Sequence, residues 1–189
     1  MTASLAAVTG CDGSEAEPPQ GGAQTATTTT GATGIDVLEG AGTGPVRRPA
    51  SGMAAALLDR VALARHEGFD RIVFQFENGL PGYSVAYADP PLHEDGSGAP
   101  VRIAGSAFLV VRMERASGFD LETGEGRLVY TGPRRIVGST AGTSIVREVV
   151  RTGDFEAVLT WAVGLGDRVD FRVLRLDAPP RLVIDLRNH

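Results

Sequence analysis

Asp70-Arg71-Ile72-Val73-Phe74-Gln75-Phe76 is the stretch that decides the fold class, because its even positions from Ile72 onward are apolar and large. Successive side chains of an extended strand point to opposite faces, so Ile72, Phe74 and Phe76 are expected to face a core. Working outward, Leu58 to Ala64 reads as an earlier strand with Val61 and Leu63 on one face. After the turn signal Asn78-Gly79-Leu80-Pro81-Gly82, the alternation resumes in Tyr83-Ser84-Val85-Ala86-Tyr87. Further strands are expected at Val101–Ile103, Ala107–Met113, near Arg127 to Tyr130, Thr143–Val150, Phe155–Val163, Val169–Leu176 and Arg181–Leu186. In the fifth of these, Phe155, Leu159, Trp161 and Val163 should share one face. About eight or nine short strands separated by turn signals predict an all-β domain, a sandwich or partly open barrel. The one helix candidate is Gly52 to Leu58.

The N-terminal third has a different character. Cys11 is the only cysteine, and it follows Ala7-Val8-Thr9-Gly10, the pattern of a lipoprotein cleavage site. A secretory signal has a basic start and an apolar core of roughly 7–15 residues; here the apolar end is present and the basic start is not. Residues 1–11 therefore read as a truncated signal peptide ending in a lipidation site at Cys11. Residues 12–56 read as a disordered low-complexity linker, clearest from Asp12 to about Pro49, since runs such as Thr27-Thr28-Thr29-Thr30 bury too little apolar surface to fold. A coil of that length spans roughly 30–40 Å. Ile35, Val37 and Leu38 interrupt it as a small apolar group that either packs on the domain or stays unstructured. Residues 57–189 are left as the β-domain, large enough for a real core.

Composition narrows the partners. The net charge is -5, and all 18 basic residues are arginine with no lysine. An acidic chain without clustered positive charge excludes nucleic acid as an expected partner. A single cysteine permits no internal disulfide, and no run approaches the roughly 20 apolar residues of a spanning helix.

Chemical motifs are mostly absent. No nucleophile elbow, phosphate loop or dinucleotide fingerprint is present, so no catalytic residue, metal site or cofactor is expected. His66-Glu67 and His93-Glu94 lack the spacing of a zinc-peptidase helix and read as loop residues. Glu94-Asp95 beside Gly96, with Asp89, lacks calcium-loop spacing and reads as a solvated acidic loop. Arg71 and Asp185 both point away from the apolar faces of their strands. If those strands are neighbours the two can pair across the sheet, or, with Arg181, form a polar groove for a carboxylate or amide. Tyr83 and Tyr87, two apart, fit either a glycan-stacking platform or ordinary strand packing, and Trp161 reads as core.

Two of the strands, Phe69–Phe76 and Pro180–Leu186, resemble the opening and closing strands of AMIN-type domains. The ordered set His66-Glu67-Gly68-Phe69-Asp70-Arg71, Pro81-Gly82-Tyr83 with Val85 and Tyr87, and Trp161-Ala162-Val163-Gly164-Leu165 is similar to the AMIN-like domain of actinobacterial lipoproteins, over about residues 57–188. The resemblance implies an extracytoplasmic β-sandwich serving the cell envelope. The expectation is a non-enzymatic module, lipid-anchored at the outer face of the cell membrane, that binds a peptidoglycan component or an envelope protein. Arg71, Tyr83, Tyr87, Arg181 and Asp185 are its candidate binding residues. The alternatives are a zinc-dependent envelope hydrolase using His66 and His93, and a carrier with an apolar ligand cavity between its sheets.

Overall fold

The computed structural model describes residues 38–52, 54–122 and 126–188. Cys11 and residues 12–37 of the expected linker lie outside the described residues. Thirteen strands are formed among the described residues. They are β1 (Val46–Arg48), β2 (Ala56–His66), β3 (Phe69–Glu77), β4 (Gly82–Ala88), β5 (Ala107–Glu114), β6 (Ala116–Ser117) and β7 (Phe119–Asp120). There follow β8 (Arg127–Leu128), β9 (Arg135–Val137), β10 (Val146–Phe155), β11 (Val158–Leu165), β12 (Phe171–Asp177) and β13 (Pro180–Arg187). A six-stranded sheet runs β1-β4-β5-β11-β10-β9, a five-stranded sheet runs β12-β13-β3-β2-β6, and β7 and β8 form a separate ribbon. The expected all-β sandwich is the fold observed.

The alternation in β3 does what its sequence predicts. Ile72, Phe74 and Phe76 are buried in one core with Leu182, Ile184 and Leu186 of the neighbouring β13. From the six-stranded sheet, Val85, Val111, Leu159, Trp161 and Val163 meet them. Trp161 lies at the centre, 5.8 Å from the ring of Phe74 and edge-on to Tyr130 at 5.6 Å. Large side chains thus fill the space between the sheets, each contributing about 1.5–3 kcal/mol by leaving water.

Asp70 continues the inward face of β3 and has no exposed surface. Its carboxylate accepts hydrogen bonds from the backbone N–H groups of Ile145 (2.6 Å) and Val146 (3.1 Å), and from Asn188 Nδ2 (2.8 Å). A buried carboxylate is tolerable only when so satisfied. This one ties β3 to the start of β10 in the opposite sheet.

Several expectations are corrected. The helix candidate at 52–58 is not helical; Ala56–Leu58 opens β2, where pairing with β6 and β3 supplies the backbone hydrogen bonds that a helix would have supplied. The outer part of the expected linker is folded: Leu38 is fully buried, and β1 pairs with β4 through Val46 and Val85. The chain then runs so close over β4 that a Cβ on Gly82 would collide with the backbone of Ala50. Val101–Ile103 form no strand. They belong to a loop whose Leu92 packs with Phe108 and Ala162 on the outside of the six-stranded sheet. Phe155 is not in the core but 64% exposed, because it is the last residue of β10 and the turn Glu156-Ala157 reverses the chain behind it.

Candidate functional site

The sandwich has two distinct ends. At one, Phe171 pairs with Leu186, which pairs with Asp70, and Gly42 bridges to Phe171; the segment from Leu38 therefore joins the sandwich here. At the other, the turn after β3, the turn between β10 and β11 and the segment Ser117–Glu122 come together. There a cavity of about 650 Å³ is lined by Ala55, Leu57, Asn78, Ser117, Phe119, Asp120, Leu121, Glu122, Asp154, Phe155, Glu156 and Ala157.

This groove combines features that surfaces usually keep apart. Phe119, Leu121 and Phe155 are 38%, 77% and 64% exposed within one small area. Soluble monomers seldom leave large apolar side chains grouped in this way, and where they do the patch marks a contact surface. Four carboxylates line it and no basic residue does. Asp154 is held in place: it accepts hydrogen bonds from Ser117 Oγ (2.8 Å) and the Gly118 N–H (2.9 Å), with Arg151 at 3.8 Å. Asp120 lies 3.6 Å from Arg127, whose main partner is Glu77 at 2.8 Å. The hydrogen bond to Glu77 raises the Arg127 guanidinium above its ordinary pKa. Glu122 and Glu156 have no ion-pair partner among the described residues.

Backbone strain gathers at the same place. Asn78 (φ 60), Glu156 (φ 49) and Ala157 (φ 57) line the groove in left-handed conformations. Arg115 (φ 55) sits beside it, its carbonyl accepting from the Ala56 N–H. These are all the non-glycine residues of positive φ among the described residues. Glu156 and Ala157 form a two-residue hairpin turn of the type that asparagine and glycine adopt at far lower cost. Strain of this kind tends to persist where a loop serves function.

None of the five binding residues singled out from the sequence lines that groove, and among them only Arg71 and Asp185 are joined. Arg71 and Asp185 are cross-strand neighbours on the outer face of the five-stranded sheet, joined by a two-pronged ion pair at 2.6 and 2.9 Å. The hydrogen bond to Asp185 raises the Arg71 pKa. Arg172 of β12, which the sequence did not single out, binds the same carboxylate at 3.0 Å. Asp185 thus occupies the position between two guanidiniums that a ligand carboxylate would take. Arg181 is on the same face but pairs with Gln75 rather than Arg71, and its Nε donates to the Pro179 carbonyl at 3.3 Å. Tyr83 is buried in the core, 6% exposed. Tyr87 faces inward too; its hydroxyl donates to the Val169 carbonyl (2.6 Å) and accepts from the Val169 N–H (2.9 Å). The two tyrosines therefore present no open stacking platform, because their strand turns its odd positions to the core.

His66 stacks on Phe69 at 4.7 Å, while His93 sits in the loop bridged to Pro100. Among the described residues no group of three or more His, Cys, Asp or Glu side chains is placed to hold a metal ion. Glu94 is spent on Arg134 and Ser97, and Asp95 on the hydroxyl of Thr160.

The chain thus forms a two-sheet β-domain with an apolar, acid-rimmed groove at one end. Residues 56–188 match the model of the AMIN-like domain, and the chain belongs to that family. The family points to a cell-envelope module. No curated protein and no solved structure matches the chain. No helix among the described residues is long and apolar enough to cross a membrane.

Proposed function

We propose that this protein is a non-enzymatic envelope module, held at the outer face of the cell membrane by a lipid on Cys11, whose groove docks another envelope protein. The observation that carries the docking reading is the exposure of Phe119, Leu121 and Phe155 around a single cavity. A protein segment suits that lining better than a glycan does. Sugar rings stack on exposed tyrosine or tryptophan, and Tyr83, Tyr87, Tyr130 and Trp161 are all turned inward.

Photocrosslinking in cells tests it, with the reactive group placed at Leu121 and, as control, at Arg181. A discrete envelope protein captured from Leu121 alone is the expected result; equal capture from both positions, or none, overturns it. The anchor is tested separately by membrane fractionation and intact mass. The wild-type protein should carry diacylglycerol and Cys11→Ser should leave the membrane; two soluble, unmodified proteins would remove the anchor.

A second reading, binding of a peptidoglycan component, is supported by the family itself. Co-sedimentation with purified wall material distinguishes it, since wall binding that survives Leu121→Ser with Phe155→Ser would place the wall contact elsewhere than the groove.

A further inference from the structure

We propose that the partner segment docked by the groove is basic as well as apolar, presenting large aliphatic or aromatic side chains flanked by lysine or arginine. This rests on the reading of the groove as a protein-docking surface and specifies its partner. The apolar lining is ringed by carboxylates, and the two that carry most weight are Glu122 and Glu156, which have no ion-pair partner among the described residues. Asp120 and Asp154 already have Arg127 and Arg151 nearby. A neutral or acidic segment would strip water from Glu122 and Glu156 and offer nothing in return, which is costly for a charged group. An ammonium or guanidinium would replace that water with a charge-assisted hydrogen bond and would also be steered toward the groove from a distance.

Two nearer occupants are disfavoured by the same charges. Residues 1–37 contain Asp12, Glu15, Glu17 and Asp36 and no lysine or arginine; the first basic residue is Arg47. A second copy docking groove to groove would set acid against acid in a chain of net charge -5.

The test uses the full chain and four fluorescent peptides of about nine residues, long enough to cross a pocket of this size. They alternate leucine with lysine, leucine with serine, leucine with glutamate, and serine with lysine. Anisotropy should show the leucine–lysine peptide binding at least about tenfold more tightly than any other, and weakening as salt rises from about 0.05 to 0.5 M. Glu122→Gln with Glu156→Gln should bring it down to the leucine–serine level, and Leu121→Ser with Phe155→Ser should abolish binding. All four side chains lie at the surface, so the variants should retain the wild-type unfolding transition. Equal, salt-insensitive binding of the leucine–lysine and leucine–serine peptides, lost in the Leu121/Phe155 variant, overturns the charge inference and leaves the docking groove standing. Equal binding of the serine–lysine peptide shows charge without an apolar site and overturns it as well. Failure of every peptide, or binding unchanged in the Leu121/Phe155 variant, removes both the inference and the docking reading.

Discussion

Asp185 and Asp70 are both wholly buried, and the two are satisfied in different ways. Asp185 is held by the guanidiniums of Arg71 and Arg172, each about a quarter exposed. Removing the carboxylate leaves two cations side by side, so Asp185→Ala should cost about 2–4 kcal/mol in urea unfolding. Arg172→Ala, which leaves Arg71 in place, should cost no more than about 1 kcal/mol. Asp70→Ala strands two backbone donors and an amide, with an expected loss of about 2–4 kcal/mol and a loosened start of β10, read by amide exchange at Ile145 and Val146. Alkaline pH tests Tyr87. Burial pushes its phenol above the ordinary value, outweighing the hydrogen bond to Val169 and the nearby Arg168. The folded state therefore favours the neutral phenol, and this stabilisation is complete below the unfolded pKa of about 10 and disappears as pH rises through the higher folded value. A phenolate absorbance titration, differenced against Tyr87→Phe, should place the Tyr87 transition at higher pH in the native protein than in urea. At this scale the pairing of Arg71 with Asp185 was legible, because both leave the apolar face of their strands. Arg172 was not, since nothing in its own strand says that β12 lies beside β13.

Among the elements, the long strands follow from periodicity and the short ones do not. β3 alternates cleanly over nine residues and can be read directly, whereas β13 is buried on both faces from Leu182 to Leu186 and is legible as a short apolar run. β1, β6 and β9 are two or three residues long and form along the free backbone groups of a longer neighbour, while β7 and β8, two residues each, pair with one another. The turn between β10 and β11 shows the cost of reading periodicity through a reversal. Phe155 has the same parity as Leu159, Trp161 and Val163, yet two residues at positive φ cut it off from their face. Replacing that turn, Glu156→Asn with Ala157→Gly, should stabilise the domain by about 0.5–1.5 kcal/mol, because asparagine and glycine accept the left-handed conformation without strain. Chemical denaturation would show it as a higher midpoint at unchanged slope; no gain would mean that the turn is not strained in solution.

At the scale of the whole molecule, the two ends of the sandwich differ. Gly42 bridges to Phe171 at one end, and the groove lies past the far ends of β3 and β10. Segment 38–50 belongs to the domain rather than to the linker. A chain beginning at residue 51 should therefore be less stable than one beginning at Leu38, by about 2–5 kcal/mol for the loss of Leu38 alone. Equal melting temperatures for the two would return that segment to the linker.

By itself the sequence determined the all-β class, the inward faces of the long strands and the resemblance to AMIN-like domains. Each is written locally, in alternation and in ordered runs of neighbouring residues. Only the tertiary structure decided which carboxylates are shared, which short strands form and where the groove opens. Phe119, Leu121 and Phe155 come from segments more than 30 residues apart at their widest. They meet because the order of strands in the two sheets brings separate turns to one end, and strand order is fixed by the packing of the whole core.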